Sequence, residues 1–154
     1  MLTIQESRPA DVAAVYALIC EMEEHRLPRP AFDAIFREVQ ASPAHCLLLA
    51  RCGDTVAGCL HLRMEAQLHH AARVAEIMEL AVGAAWRSQG VGRSLFRAAC
   101  GRARQAGCVQ IEVACNRLRH RAHHFYETMG MHNFHYKFSL DFSAAPDAPN
   151  RLGR

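Results

Sequence analysis

The sequence predicts an α/β chain of the α+β kind, with a mixed, mostly antiparallel central sheet flanked by helices. Three observations carry that expectation. Apolar runs of strand length alternate with stretches of helical periodicity. Three of the runs, between Cys46 and Val82, follow one another with only turns between them, which favours antiparallel neighbours. The third run then passes through a glycine-bearing turn straight into a helix.

Leu2, Ile4 and Glu6 alternate with Thr3, Gln5 and Ser7, so residues 2–8 read as a first strand ending near Pro9. Asp11 suits a helix start, and Val12, Val15, Tyr16, Ile19, Cys20 and Met22 recur at helical spacing. Arg26-Leu27-Pro28-Arg29-Pro30 stops that helix, and Phe32, Ile35, Phe36 and Val39 mark a second, ending near Ser42-Pro43. Cys46–Ala50 and Val56–Leu62 are joined by Cys52-Gly53-Asp54-Thr55, a hairpin turn by composition, and Val74–Val82 follows the polar bend at 67–73. From Gly90 the pattern is helical, with Val91, Leu95, Ala98, Ala99, Ala103 and Ala106 as its apolar stripe and Gly107 as its stop. Val109–Cys115 reads as a fifth strand, Arg119–Met129 as a further helix closed by Gly130, and Phe134–Phe142 as an alternating last strand. Residues 1–142 are expected to form a single domain, and 143–154, rich in Ala, Pro, Asp and Asn, a disordered tail.

Composition removes several classes of function. The chain has 154 residues, is 51% hydrophobic and carries a formal net charge of +3. No stretch approaches the roughly 18 continuous apolar residues of a membrane span, and Met-Leu-Thr-Ile-Gln-Glu lacks the blocks of a signal peptide, which predicts a cytoplasmic protein with no membrane partner. The cysteines at 20, 46, 52, 59, 100, 108 and 115 are odd in number and include no Cys-x-x-Cys, so neither a disulfide framework nor a structural zinc site is indicated. Lys137 is the sole lysine, and the small, dispersed positive charge argues against nucleic acid and suits an anionic small molecule. The sequence does not fix the oligomeric state; a homodimer is compatible with it.

From Leu80 to Leu95 the chain reads Leu-Ala-Val-Gly-Ala-Ala-Trp-Arg-Ser-Gln-Gly-Val-Gly-Arg-Ser-Leu. Gly90 and Gly92 lack a Cβ, so the backbone from Arg87 to Ser94 can curl until several N–H groups converge, and the following helix adds more donors and its dipole. Such a turn binds phosphate. A dinucleotide fingerprint would need a third glycine where Leu95 stands. The spacing Arg87-x-x-Gly90-x-Gly92 resembles the pyrophosphate loop of the Gcn5-related N-acetyltransferase (GNAT) superfamily, and the order of elements is similar to that of the acetyltransferase fold. The resemblance implies acetyl-coenzyme A (acetyl-CoA) as co-substrate, held by Leu80, Ala81, Val82, Arg87, Ser88, Gln89, Gly90, Val91, Gly92, Arg93 and Ser94, with backbone N–H near Leu80 and Ala81 on the thioester carbonyl.

Residues 116–131 look like the superfamily's other recurrent segment through Asn116, Arg119, Ala122, His123, Phe125, Tyr126 and Gly130, with Met131 in place of the usual aromatic residue. The resemblance implies that Tyr126 protonates the departing thiolate and that Asn116 hydrogen-bonds the pantetheine arm. A phenol suits the first task, and an ordinary helix-initiating turn is the alternative role for Asn116.

Glu76 and Glu79 are carboxylates inside an apolar strand, where charge is costly unless a site uses it. In an unbroken strand Glu76 shares a face with Met78, Leu80 and Val82, and Glu79 with Ile77 and Ala81, so both line one pocket only if a bulge intervenes. Histone-type members of the superfamily carry their base at the position matching Glu76, which makes it the favoured base; Glu79 is equally a candidate for a structural salt bridge. Val15 to Glu21, Leu60-His61-Leu62, Leu68-His69-His70, Glu76-Ile77, Glu79-Leu80 and Arg104 to Gly107 are similar to the aminoalkylphosphonate N-acetyltransferases. That resemblance implies a small-molecule primary amine as acceptor, an aminoalkylphosphonate, with a divalent metal assisting. His61, Arg63, His69 and His70 are the candidate phosphonate-binding groups, and His120 with His124, one helical turn apart, have a spacing that can chelate a metal, though no ligand set is singled out. Adjacent His69 and His70 would face opposite ways on a strand. An aminoglycoside, polyamine or protein amine as acceptor, and a non-catalytic acyl-CoA sensor, remain open alternatives.

Overall fold

A computed structural model describes residues 1–143. In chain order it contains β1 (Leu2–Glu6), α1 (Val12–Glu23), α2 (Arg29–Ala41), β2 (His45–Cys52), β3 (Thr55–Gln67), β4 (Ala72–Val82), α3 (Val91–Gln105), β5 (Cys108–Val113) and α4 (His120–Thr128). The sheet runs β1-β2-β3-β4-β5, antiparallel throughout except for the parallel pair β4/β5. Contacts divide the chain into two compact units, Met1–Val113 and Ala114–Arg154.

In the first unit the predicted elements all form, but β3 runs five residues past its expected end at Leu62, taking the polar Arg63 and Glu65 into the ladder with β4. α1 ends where Glu24 turns left-handed (φ 60°), and the Tyr16 hydroxyl donates to Leu27 O at 2.8 Å, fastening the connection to α2. Pro28 caps α2 and Pro30 sits in its first turn, where a missing N–H costs nothing. Val15 and Leu18 of α1 and Phe36 of α2 pack with Leu47, Leu49, Cys59 and Ala81 on one face of the sheet. α3 covers the other face: Gly58, next to Cys59 and therefore pointing the opposite way, meets Val91 and Leu95. A Cβ at Gly58 would lie 3.2 Å from each of those side chains and 2.8 Å from Ala81 O, so glycine is what lets α3 lie this close. Asp11, buried ahead of α1, pairs with Arg51 of β2 and accepts the Arg8 N–H at 2.7 Å, tying the helix layer to the sheet.

In the second unit, α4 closes as its glycine predicts. Gly130 adopts φ 89°, and the Met131 N–H returns to Tyr126 O at 3.0 Å. The expected last strand at 134–142 does not form: these residues carry no ladder, and Phe134, Tyr136, Phe138, Leu140 and Phe142 are all exposed. Alternation makes a segment able to be a strand, but backbone pairing makes it one, and none is present among the described residues. Of the expected tail, residues 144–154 lie outside the described residues.

Candidate active site

β4 organises the site. Its register with β3 pairs His61 with Glu79, but Leu62 with Ile77 and Arg63 with Glu76, so Met78 is an extra residue. This β-bulge breaks the strict alternation of a regular strand. Directly paired residues share a face, so Glu76 and Glu79 emerge on the same side of the sheet, beside Arg63 and His61. It is the side that carries α1 and α2, since His61 alternates with Cys59 and pairs with Leu47.

The two carboxylates have different partners. Arg63 Nη2 donates to Glu76 Oε2 at 2.7 Å and to Glu65 Oε1 at 3.4 Å. Glu76, the favoured base on sequence grounds, therefore already serves in an ion pair, the part the sequence offered to Glu79. Glu79 Oε2 instead accepts a hydrogen bond from His61 Nδ1 at 2.7 Å, and its side chain keeps 38% of its surface exposed. On the far side of His61, Nε2 lies 2.8 Å from Nδ1 of His45. Burial, reinforced by His61 and Arg63 and opposed by Glu79, holds His45 below the usual imidazole pKa, so it is neutral at pH 7. His45 escapes the sequence pattern because it immediately precedes the apolar run that marks β2; the signal available was its place one strand across from His61 and Arg63.

His69 and His70 do not join this group. They lie in a single 3-10 turn after β3, exposed, with rings 4.2 Å apart, and His70 Nδ1 bonds Gln67 Oε1 at 2.8 Å. That turn is about 20 Å along β3 from His61, and its helical backbone replaces the opposite-facing strand geometry that the sequence suggested.

β4 also supplies a row of backbone amides. Gly83 N–H donates to Ala57 O at 3.0 Å, and in an antiparallel ladder that direction repeats every second residue, so Ala81 and Glu79 also turn their amides to β3. The amides of Leu80 and Val82 point to the other edge. There β5 has already parted from β4, since their pairing ends at Ile77 with Val113. Of the two amides implied for the thioester carbonyl, Leu80 faces the opening and Ala81 does not.

At the end of β4 the chain forms the expected loop. Ser88 and Gly90 both take left-handed backbone, φ 61° and 82°, which at Gly90 is free of strain. The first helical bond of α3 runs from Ser94 N–H to Gly90 O at 3.0 Å, so the amides of Val91, Gly92 and Arg93 precede the ladder and stand at the positive end of the helix dipole. Arg87 is anchored by Val82 O at 3.1 Å and by Glu21 of α1 at 3.0 Å, while Gln89 bonds Ala85 O at 2.7 Å. The loop is thus braced by its side chains and open along its backbone, which fits a diphosphate.

Within the second unit, Tyr126 is partly buried on α4. Burial, aided by nearby Cys115 and opposed by Arg119, pushes its phenol up to about 12, so it is fully protonated at neutral pH. Asn116 Oδ1 accepts the Leu118 N–H at 2.9 Å, and its backbone oxygen lies 2.9 Å from His123 Nε2, the helix-initiating arrangement. Burial raises the Cys115 thiol, which makes a thiolate nucleophile there unfavourable. All seven cysteines are free thiols. Among the described residues no group of three or more His, Cys, Asp or Glu is placed to hold a metal ion, and His120 meets the His123 ring edge-on. No helix among the described residues is long and apolar enough to cross a membrane.

Residues 12–131 match the Acetyltransferase (GNAT) family. An aminoalkylphosphonate N-acetyltransferase of Salmonella typhimurium is 36% identical over 137 residues, 88% of each chain. A transcriptional regulator from Bacillus halodurans superposes with a TM-score of 0.85 at 24% identity, covering 92% of this chain and 100% of that one. Glucosamine-6-phosphate N-acetyltransferase from Arabidopsis thaliana does so with a TM-score of 0.77 at 17% identity, again over 92% and 100%. At those identities the two structures speak for the fold. The family match, the long alignment and a braced loop with open amides together make this chain a member of the GNAT family, an N-acetyltransferase whose co-substrate is acetyl-CoA.

Proposed function

We propose that the acceptor is the primary amine of a small aminoalkylphosphonate and that the acetyl group moves to it directly. The supporting observation from comparison is the 36% identity, spread over 88% of both chains, to an enzyme of that activity. A structural observation points the same way. The Arg63 side chain keeps 34% of its surface exposed, a cation suited to an anionic group on the face that also carries the two carboxylates.

In this reading the ammonium of the acceptor loses its proton to Glu79. Its nitrogen then attacks the thioester carbon, the C–N bond forms, and the carbonyl electrons move to oxygen under the Leu80 N–H. As the adduct collapses, its nitrogen releases its second proton to solvent and coenzyme A leaves as thiolate. The segment around Tyr126 nominates its phenol as the partner of that sulfur. Full proton transfer from a phenol at about 12 to a thiolate of pKa near 8.5 runs uphill, so Tyr126 acts mainly by hydrogen-bonding the sulfur as charge collects. The glycine loop holds the diphosphate of the donor.

The test is release of coenzyme A with aminomethyl- and 2-aminoethylphosphonate against a panel of aminoglycosides, polyamines and peptide amines, with and without chelator. The expected result is a kcat/KM at least tenfold higher for the aminophosphonates. Equal turnover across the panel would remove the phosphonate assignment and leave the N-acetyltransferase.

A further inference from the structure

Glu79, His61 and His45 form a line across three adjacent strands, with hydrogen-bond distances of 2.7 and 2.8 Å. Donor bookkeeping along that line is restrictive. A carboxylate only accepts, so His61 must present Nδ1–H to Glu79. In neutral His61 the other nitrogen, Nε2, is then an acceptor, and only His45 Nδ1–H can supply its proton.

We infer that His45 is a positioning residue for acetyl transfer: its Nδ1–H holds His61 in the Nδ1–H tautomer, which aims one oxygen of Glu79 and leaves the other free for the ammonium proton. The inference rests on the reading of Glu79 as base. His45 lies a full strand beyond the residues that would touch substrate. Its depressed pKa, caused first by burial, keeps it neutral and so able to act as a single-proton donor. The charged groups around it are few. His61 and Arg63 of β3 and Glu79 of β4 act on it directly, Glu76 is matched by Arg63, and Glu6 of β1 and Arg102 of α3 line the cavity of about 310 Å³ beside it. From α2 only Val39 and Gln40, both uncharged, reach its surroundings.

Protonation of His45 on acidification leaves its Nδ1–H in place but sets an imidazolium behind His61, which polarises the His61–Glu79 hydrogen bond against proton acceptance by the carboxylate. The acid limb of kcat/KM therefore carries a contribution from His45. An asparagine at 45 places an amide N–H close to where Nδ1–H stands and does not titrate.

The experiment compares His45→Ala, His45→Asn and Glu79→Gln, with acetyl-CoA and 2-aminoethylphosphonate or whichever amine of the panel turns over. Nitrogen-15 NMR of the free wild-type protein reads the His61 tautomer without any substrate. Expected are a protonated Nδ1 and bare Nε2 on His61, a tenfold or greater fall in kcat for His45→Ala with KM for acetyl-CoA unchanged, and recovery in His45→Asn with the acid limb moved to lower pH. His45→Asn as impaired as His45→Ala, an unmoved acid limb, or an Nε2–H tautomer in His61 would overturn the inference. A fully active Glu79→Gln would instead overturn the base on which it rests, whatever the His45 variants do.

Discussion

At the scale of single residues, chemistry divides along partners and not along residue type. Glu76 and Glu79 are both strand carboxylates, yet one faces a guanidinium and the other an imidazole that is itself held from behind. Only the second is spared a guanidinium partner. Tyr126 illustrates how environment sets a limit on role: a phenol raised to about 12 donates hydrogen bonds readily and protons reluctantly. Tyr126→Phe is therefore expected to lower kcat by about 10- to 100-fold, with acetyl-CoA affinity by calorimetry unchanged; wild-type kcat would count against any role at the sulfur. The glycine turn before α3 and the Gly130 stop of α4 were legible in the sequence because both belong to linear patterns, and both form. The contact of His45 with His61 was not, because it joins residues sixteen positions apart across a strand pair.

At the scale of elements, the bulge at Met78 is what the alternation of residues 74–82 could not reveal. That run is nearly continuous in apolar side chains, and such a run looks the same with or without one extra residue. Phe134–Phe142 teaches the converse: a clean period of two, but no ladder. The α3 layer depends on the bare backbone at Gly58. Gly58→Ala drives a methyl against Ala81 O and the side chains of Val91 and Leu95, and is expected to cost about 1–3 kcal/mol. Urea unfolding would show it as a lower midpoint at constant slope, together with weaker acetyl-CoA binding as the start of α3 shifts; an unchanged midpoint would mean the helix can move away freely.

At the scale of the whole molecule, the layered order of strands and helices followed from hydrophobic period and turn residues, whereas the cross-layer ties did not. Asp11 looked like a simple helix start, yet it is buried and paired with Arg51. Burial alone would raise its carboxyl; the Arg8 amide and the Arg51 guanidinium outweigh that and leave it below the usual carboxylate value. A depressed folded-state pKa contributes stability that is fully present above the unfolded value near 4 and is lost as pH falls through the folded one. Asp11→Asn is accordingly expected to lower stability by about 3 kcal/mol at pH 7, with the difference from wild type shrinking below about pH 4; a difference that persists at pH 2 would point to lost packing instead. What joins these scales is one strand whose extra residue turns two carboxylates to the same side, where each meets a different partner. The most direct measurement is kcat/KM against pH for Glu79→Gln and Glu76→Gln side by side. Glu79→Gln should fall about 10²- to 10⁴-fold and lose its acid limb while Glu76→Gln keeps that limb; loss of the limb in Glu76→Gln with Glu79→Gln near wild type would contradict it.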